Sequence, residues 1–308
     1  MLFRSFINRL DEDIARHEEE IFLFENIRFF PQEEQNDNKF AEELSKMGQV
    51  YVNDAFAASH RKHASLSGLP KFLPSFFGLC MEKEIFALDD VFSHPTNPVV
   101  AIIGGSKVST KIQLLESLIR NVDKIIIGGA MANTFLRATS NNIGSSLYEA
   151  SCIDIANDII NSAKKENVKL VLPIDAKVSK KLGDYPSAKN KILDEIEIDD
   201  MILDLGIESS RIIMDEISDA NTVIWNGPLG AIEYKPFDQS TVAVAKELAL
   251  RCKDKNSKVV VGGGDTIYGI NIAGTYEDYT HVSTGGGAFL QWLEGKDLPA
   301  VEAILNKH

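Results

Sequence analysis

Cysteine is scarce in this chain of 308 residues: Cys80, Cys152 and Cys252 form an odd, scattered set without C-x-x-C spacing. Such a set argues against a disulfide frame and a thiolate zinc site, and for reduced thiols buried as small apolar residues in a cytoplasmic protein. Positive charge is also in short supply, since 32 Lys and Arg face 45 Asp and Glu for a formal net charge of -13. Nucleic-acid backbones and acidic membranes are attracted by Lys/Arg stripes that are missing here, so neither is expected as a partner and any bound anion must be held by a local site. No apolar run approaches the ~20 residues of a membrane-spanning helix. At the start, Met1-Leu2-Phe3-Arg4-Ser5-Phe6-Ile7 is followed by Asp11-Glu12-Asp13 before the apolar stretch of a signal peptide can form, so no secretory signal is expected. Neither G-x-x-x-x-G-K-S/T nor G-x-G-x-x-G occurs, which argues against a Walker-type NTPase and an ordinary dinucleotide enzyme. Solenoid-period repeats and low-complexity tracts are absent as well.

What is present has the balance of a globular protein, 44% hydrophobic and 25% charged, with length enough for two cores. Val- and Ile-rich stretches alternate with longer segments of helical period, the pattern of βα units around a parallel sheet buried on both faces. Strands are predicted at Ile21–Phe24, Val50–Asn53, Val99–Ile103, Lys124–Ile127, Lys169–Leu172, Thr222–Trp225 and Lys258–Val261. Helices are predicted at Asn38–Met47, stopped by Gly48, and at Thr110–Arg120, with Ile112, Leu115, Leu118 and Ile119 on one face. His94-Pro95-Thr96-Asn97-Pro98 punctuates the chain after a predicted helix from Leu79 to about Val91. Residues 1–78 then hold too few strands to complete a parallel sheet, 79–97 form a connecting helix and hinge, 98–290 hold a full α/β domain and 291–308 are a tail. The charged segment Lys180–Asp200 lacks clear periodicity and reads as a surface excursion.

Five strand ends rhyme: Gly104-Gly105-Ser106-Lys107, Gly128-Gly129-Ala130, Asn226-Gly227-Pro228, Gly262-Gly263-Gly264-Asp265-Thr266 and Ser283-Thr284-Gly285-Gly286-Gly287. In open parallel sheets the ligand sits outside the carboxyl ends of the strands. Glycine there admits positive φ and lets an anion approach backbone N–H groups, while a following helix adds its positive dipole end, so phosphate is the expected ligand. Asp265, directly after three glycines, is placed either to meet Mg²⁺, which takes one or two carboxylates besides phosphate oxygens, or to cap a helix. Lys107 and Lys111 are four apart and share a face if a helix begins near Lys107, where both would point at a polyphosphate or into solvent. Upstream, Tyr51-Val52-Asn53-Asp54-Ala55-Phe56 runs into the basic cluster His60-Arg61-Lys62-His63, and Arg28 at another strand end converges on the same anion or lies free on the surface. No Cys or Glu stands at zinc-ligand spacing near the two histidines.

With these residues in hand the sequence resembles the phosphoglycerate kinase family over almost all of residues 21–308. The resemblance rests on Phe24-Glu25-Asn26-Ile27-Arg28-Phe29, Val52-Asn53-Asp54-Ala55-Phe56, His60-Arg61, Gly104-Gly105-Ser106-Lys107-Val108-Ser109, Trp225-Asn226-Gly227-Pro228, the Gly262–Thr266 turn, the segment from His281 to Ala288, and Glu294-Gly295-Lys296. It implies a two-domain α/β hinge kinase with parallel sheets, a complete C-terminal Rossmann-like nucleotide domain and an incomplete N-terminal domain for 3-phosphoglycerate. The implied reaction is reversible phosphoryl transfer between ATP and 3-phosphoglycerate, giving ADP and 1,3-bisphosphoglycerate in glycolysis, with Mg²⁺, by a monomer. By carry-over, Gly105, Lys107, Asn226, Pro228, Glu233, Gly263, Gly264, Asp265 and Thr266 hold the nucleotide, Gly128 and Gly129 flank the adenine, and Asp265 meets the metal. Lys111 follows the transferred phosphoryl, Gly285 and Gly286 open a helix aimed at the reaction centre, Arg28 and Arg61 bind the substrate phosphate, and the tail packs back on the first domain. Departures are Ala130 for a third glycine, Ile202 and Ile207 where Gly and Pro are usual, and the absence of a strand-end Asp-Phe-Asn, its following Arg and a His-Leu-Gly-Arg loop. Those absences leave a non-catalytic nucleotide-binding or interaction protein as the alternative, and predict parallel strands without neighbours and apolar faces uncovered in the first domain.

Overall fold

The computed structural model describes residues 23–183, 185–255 and 257–306. The chain divides into two compact units, one of Glu84–Gly295 and the other of the chain up to Lys83 and from Lys296 onward. The division falls within the Leu79–Phe92 helix.

In the larger unit six parallel strands form one sheet. In chain order they follow two strands of the smaller unit, β1 (Tyr51–Asn53) and β2 (Ser75–Phe77), and comprise β3 (Val99–Ile103), β4 (Lys124–Ile127), β5 (Lys169–Val171), β9 (Thr222–Asn226), β10 (Lys258–Gly262) and β11 (His281–Ser283). Their spatial order is β11-β10-β9-β3-β4-β5. The chain therefore builds outward from β3 to β5, then returns to the other side of β3 for β9 to β11, which makes the β3/β9 boundary a topological switch point. All five residues of β3 are buried, as a strand covered by helices on both faces requires. Strands β3 and β4 have the predicted bounds, and β5, β9 and β10 differ by one residue at one end.

The main core joins Val100, Ile102, Val223, Trp225, Val259 and Val261 of the sheet to Ile213, Ile217, Val244 and Leu248 of the covering helices. Trp225 is wholly buried, and its indole Nε1 donates to Gly227 O at 2.8 Å, so the largest core side chain also fixes the turn after its own strand.

Segment 180–200 departs from the predicted surface excursion. It contains β7 (Lys189–Ile192), which with β6 (Asp175–Ser179) and β8 (Met201–Leu205) makes an antiparallel sheet in the order β7-β6-β8. Leu193 and Ile196 close a second core with Leu136, Ile143, Ala176 and Val178. Lysines hid the strand: Lys189 and Lys191 break the apolar alternation, and Lys191 is held at the surface by Glu197 (3.1 Å) and Asp200 (2.7 Å).

In the smaller unit β1 and β2 pair in parallel as a two-stranded sheet. Phe40, Ala41 and Ala64 form its core with Ile27, Phe30 and Leu44, and the Pro299–Leu305 helix joins it through Ala300 N, which donates to Ser59 O at 3.1 Å. Among the described residues Val52 of this sheet is 55% exposed and Phe76 50%. Of the predicted strand Ile21–Phe24, Ile21 and Phe22 lie outside the described residues, and Leu23 and Phe24 belong to no strand. The helix predicted at Asn38–Met47 ends at Ser45 and is capped by Asp37, whose Oδ1 accepts from Phe40 N at 2.8 Å. Among the described residues no helix is long and apolar enough to cross a membrane.

Candidate nucleotide site

Strand register brings the glycine junctions together. Ile103 lies opposite Ile127 and Asn226, Asn226 opposite Gly262, and Gly262 opposite Ser283. Every glycine segment therefore leaves the same edge of the sheet, side by side, at the switch point and its flanks.

Lys111 crosslinks them. Its ammonium donates to Gly104 O at 2.7 Å, Asn226 O at 3.0 Å and Asn226 Oδ1 at 2.6 Å. Asn226 Nδ2 passes the link on to Gly262 O at 2.9 Å, and Thr266 Oγ1 donates to the same carbonyl at 2.9 Å while accepting from Gly227 N at 2.6 Å. The side chains of Asn226 and Thr266, expected to hold the nucleotide, are thus engaged in holding the loops. Burial lowers the Lys111 ammonium from its usual 10.5 to about 8, with Asp265 pulling the other way. The predicted shared face of Lys107 and Lys111 does not form, because the helix starts at Ile112 and Lys111 is its N-cap. Lys111 turns inward beneath the loops, whereas Lys107 is exposed.

Glycine is demanded here largely by loop-on-loop packing. A Cβ on Gly104 would stand 1.9 Å from Pro228 O, and one on Gly129, whose φ is +66, would stand 2.6 Å from Gly105 O. Gly264 has nothing within 4 Å of its Cβ position, so there the missing side chain leaves open space.

Beside the junctions lies a cleft of about 350 Å³, lined by Gly105, Gly129, Pro228, Glu233 and Asp265 together with the apolar Leu136, Met201, Ile202 and Leu203. A cleft of that size with apolar walls and a few polar groups suits a small-molecule ligand. Of the family departures, Ala130 and Ile202 line the cleft, while Ile207 is an exposed first residue of the Ile207–Ile217 helix. Asp265 sits in the first turn of the Gly264–Ala273 helix with its side chain exposed, and the cap position belongs to Gly263. Gly128 is buried at the N-cap of the Gly129–Ala138 helix. Gly286, with φ +52, is the N-cap of the Gly287–Leu293 helix, and Gly285 N donates to Ser283 Oγ at 3.2 Å. That junction is anchored by Glu84, which meets His281 Nε2 at 2.7 Å and accepts from Thr284 N at 3.3 Å.

No motif pointed to Asp204, which lies 2% exposed against the cleft and accepts from Leu205 N at 2.9 Å, Ser240 N at 3.1 Å and the Ser240 hydroxyl. Burial raises its carboxyl to about 7 against the pull of those bonds and of Lys177. Glu149, likewise outside any motif, accepts from the Ser109 hydroxyl at 2.6 Å.

In the smaller unit Arg61 follows His60, and Arg28 approaches the same ring. Burial lowers the His60 imidazole, followed by the charge of Arg61, with His63 and Arg28 contributing in the same direction. Glu33 lies 3.7 Å from His63 Nδ1. Arg61, His63 and Arg28 thus all stand close enough to act on the His60 imidazole.

The sequence profile of the phosphoglycerate kinase family matches residues 4–296. The chain belongs to this family. It is 49% identical over 285 residues to a phosphoglycerate kinase of Bradyrhizobium diazoefficiens, and 47% over 284 residues to one of Caulobacter vibrioides, covering 92% of this chain and 72% of each relative. Among solved structures, the phosphoglycerate kinase of Coxiella burnetii superposes with a TM-score of 0.87 at 38% identity, over 92% of this chain and 72% of that one. That of Pyrococcus horikoshii gives 0.78 at 28% identity, over 91% and 71%. The two-domain α/β architecture with parallel sheets is that of a phosphoglycerate kinase.

Proposed function

We infer that the chain catalyses reversible phosphoryl transfer between ATP and the carboxylate of 3-phosphoglycerate, giving ADP and 1,3-bisphosphoglycerate in glycolysis. The observation that carries this, beside family membership, is the row of glycine junctions locked in register by Lys111 at the edge of an apolar-walled cleft. Family membership favours the kinase over a non-catalytic binding protein.

The cleft takes ATP or ADP. Met201, Ile202 and Leu203 supply apolar surface for the base beside Gly128 and Gly129, and Glu233 offers an exposed acceptor for sugar hydroxyls. The polyphosphate runs along Gly105, Pro228, Gly263 and Gly264, where the Gly264–Ala273 helix presents its positive end. Lys107, exposed on the first junction, is the cation able to reach the transferred group, while Lys111 sets the loops and lends its charge from below. Asp265 fits a Mg²⁺ role, because its carboxylate is exposed at the cleft and not consumed as the helix cap. Bound there with the nucleotide, the metal neutralises charge on the phosphates. Arg28 and Arg61 bind the phosphate of 3-phosphoglycerate, and the turn at Gly285 and Gly286, in which Gly285 N is held by Ser283 Oγ, opens the Gly287–Leu293 helix toward the transferred phosphoryl.

The acceptor carboxylate, with an ordinary pKa near ~4, is already ionised at neutral pH and needs no general base. Catalysis then rests on positioning and positive charge. We place the protein in the cytoplasm, as a monomer. A coupled assay tests the function: with ATP, 3-phosphoglycerate, glyceraldehyde-3-phosphate dehydrogenase and NADH, this chain is expected to drive NADH loss. Mg-ADP binding without NADH loss refutes the kinase reading.

A further inference from the structure

We propose that Glu149 is a positioning residue that sets Lys107 for the nucleotide. The proposal rests on Lys107 as a nucleotide contact. Loop 104–111 is fixed at both ends. Gly104 N donates to Asn226 O at 3.0 Å, Gly105 N to Pro228 O at 3.0 Å, and Met131 N to Gly105 O at 2.9 Å, while Lys111 closes the far end. The middle exposes Ser106, Lys107, Ser109 and Thr110 and buries Val108, and within it Thr110 Oγ1 donates to Lys107 O at 3.0 Å.

Glu149 grips this middle from forty residues away. Its Oε2 accepts from Ser109 N at 3.0 Å and its Oε1 from the Ser109 hydroxyl at 2.6 Å. Burial works against its charge, but the Ser109 hydroxyl, the Ser109 and Val108 amides and the nearby Lys107 hold its carboxyl below the usual range. Glu149 is itself secured: its N donates to Thr134 Oγ1 at 3.1 Å, its O accepts from Cys152 N at 3.0 Å, and Asn133 Nδ2 donates to Leu147 O at 3.0 Å. Thr134 and Asn133 belong to the Gly129–Ala138 helix and are 1% and 0% exposed. One hydrogen-bonded chain therefore runs from the helix that opens at the second glycine junction, through Glu149, to Ser109, two residues after Lys107. It fixes where that ammonium stands without touching the ligand.

The test is a double-mutant cycle in the full chain, reading the Kd of Mg²⁺-bound β,γ-imido-ATP by titration calorimetry. Lys107→Ala is expected to weaken binding ~10-fold and Glu149→Ala ~3–10-fold, with the double variant no weaker than Lys107→Ala alone. Glu149→Gln, which keeps an acceptor for Ser109, is expected to recover part of the loss and supplies the cycle if the alanine variant does not fold. Equal weakening by the Glu149 change with and without Lys107, or no weakening at all, overturns the positioning role. Unchanged affinity in Lys107→Ala instead overturns the nucleotide role on which the proposal rests.

Discussion

Replacing Lys111 by Met probes a charge that the fold carries at some expense. In the folded chain the ammonium titrates at about 8 against its usual 10.5, a difference worth about 3 kcal/mol. Below pH 8 both folded and unfolded chains carry the proton, and the folded state bears the full desolvation cost. Between pH 8 and 10.5 the folded chain has released the proton while the unfolded chain retains it, so the unfolded state binds more protons and stability rises with pH. Relative to Lys111→Met, wild type is expected to gain about 3 kcal/mol over that window, read from urea denaturation at pH 7, 8, 9 and 10. The comparison cancels other groups that titrate in both proteins. Nucleotide affinity moves the other way: wild-type Kd for Mg-ADP should rise above pH 8 as the charge under the phosphates is lost, and the variant should lack that step. A stability difference flat to within ~1 kcal/mol across the window refutes the buried-ammonium account.

Asp265→Ala is expected to abolish most of the Mg²⁺ dependence of ADP affinity; an unchanged dependence, measured by calorimetry with and without chelator, removes Asp265 from the metal role. Arg28→Ala and Arg61→Ala should each weaken 3-phosphoglycerate binding ~10-fold, and ligand binding should raise the depressed His60 titration seen by NMR; no movement of His60 places the anion elsewhere. Gly129→Ala adds a Cβ at φ +66 and 2.6 Å from Gly105 O, so urea midpoints should report a loss above ~3 kcal/mol. Gly264→Ala meets nothing within 4 Å and should leave stability unchanged or raise it by up to ~1 kcal/mol.

The strands that build the site were legible because β3, β4, β9 and β10 are runs of Val, Ile and Trp closed by glycine or asparagine, and burial on both faces permits no other pattern. Strands β2 and β7 carry no such run: Ser75-Phe76-Phe77 is too short to establish a period, and in the other Lys189, Asn190 and Lys191 leave Ile192 as the one apolar residue. The inward turn of Lys111 was hidden for a related reason. A spacing of four invites a helical face, but the Val108–Lys111 turn precedes the helix and reverses the side chain. Glu149 lies beyond local pattern altogether, because its partner Ser109 is set by tertiary packing alone.

Glycine after a strand was read as room for an anion, and the structure divides that meaning in two. At Gly104, Gly128, Gly129 and Gly227 a side chain would strike Pro228 O, Leu229 Cδ2, Gly105 O or Gly104 O between 1.9 and 2.6 Å away. Gly104, Gly129 and Gly227 require glycine so that neighbouring loops touch backbone to backbone, while Gly128 makes room for the Leu229 side chain; that close approach allows one ammonium, Lys111, to reach carbonyls from two strands at once. At Gly264 and Gly286 no atom lies within 4 Å, so packing makes no such demand, and a residue other than glycine is expected to be at least as stable at Gly264. Gly264 opens the Gly264–Ala273 helix, and its neighbour Asp265 lines the cleft. The first group of glycines builds the wall and the second leaves open space before it. Phosphoryl transfer to an ionised carboxylate needs both, because its barrier is lowered by fixed positive charge and oriented N–H groups rather than by a moving proton.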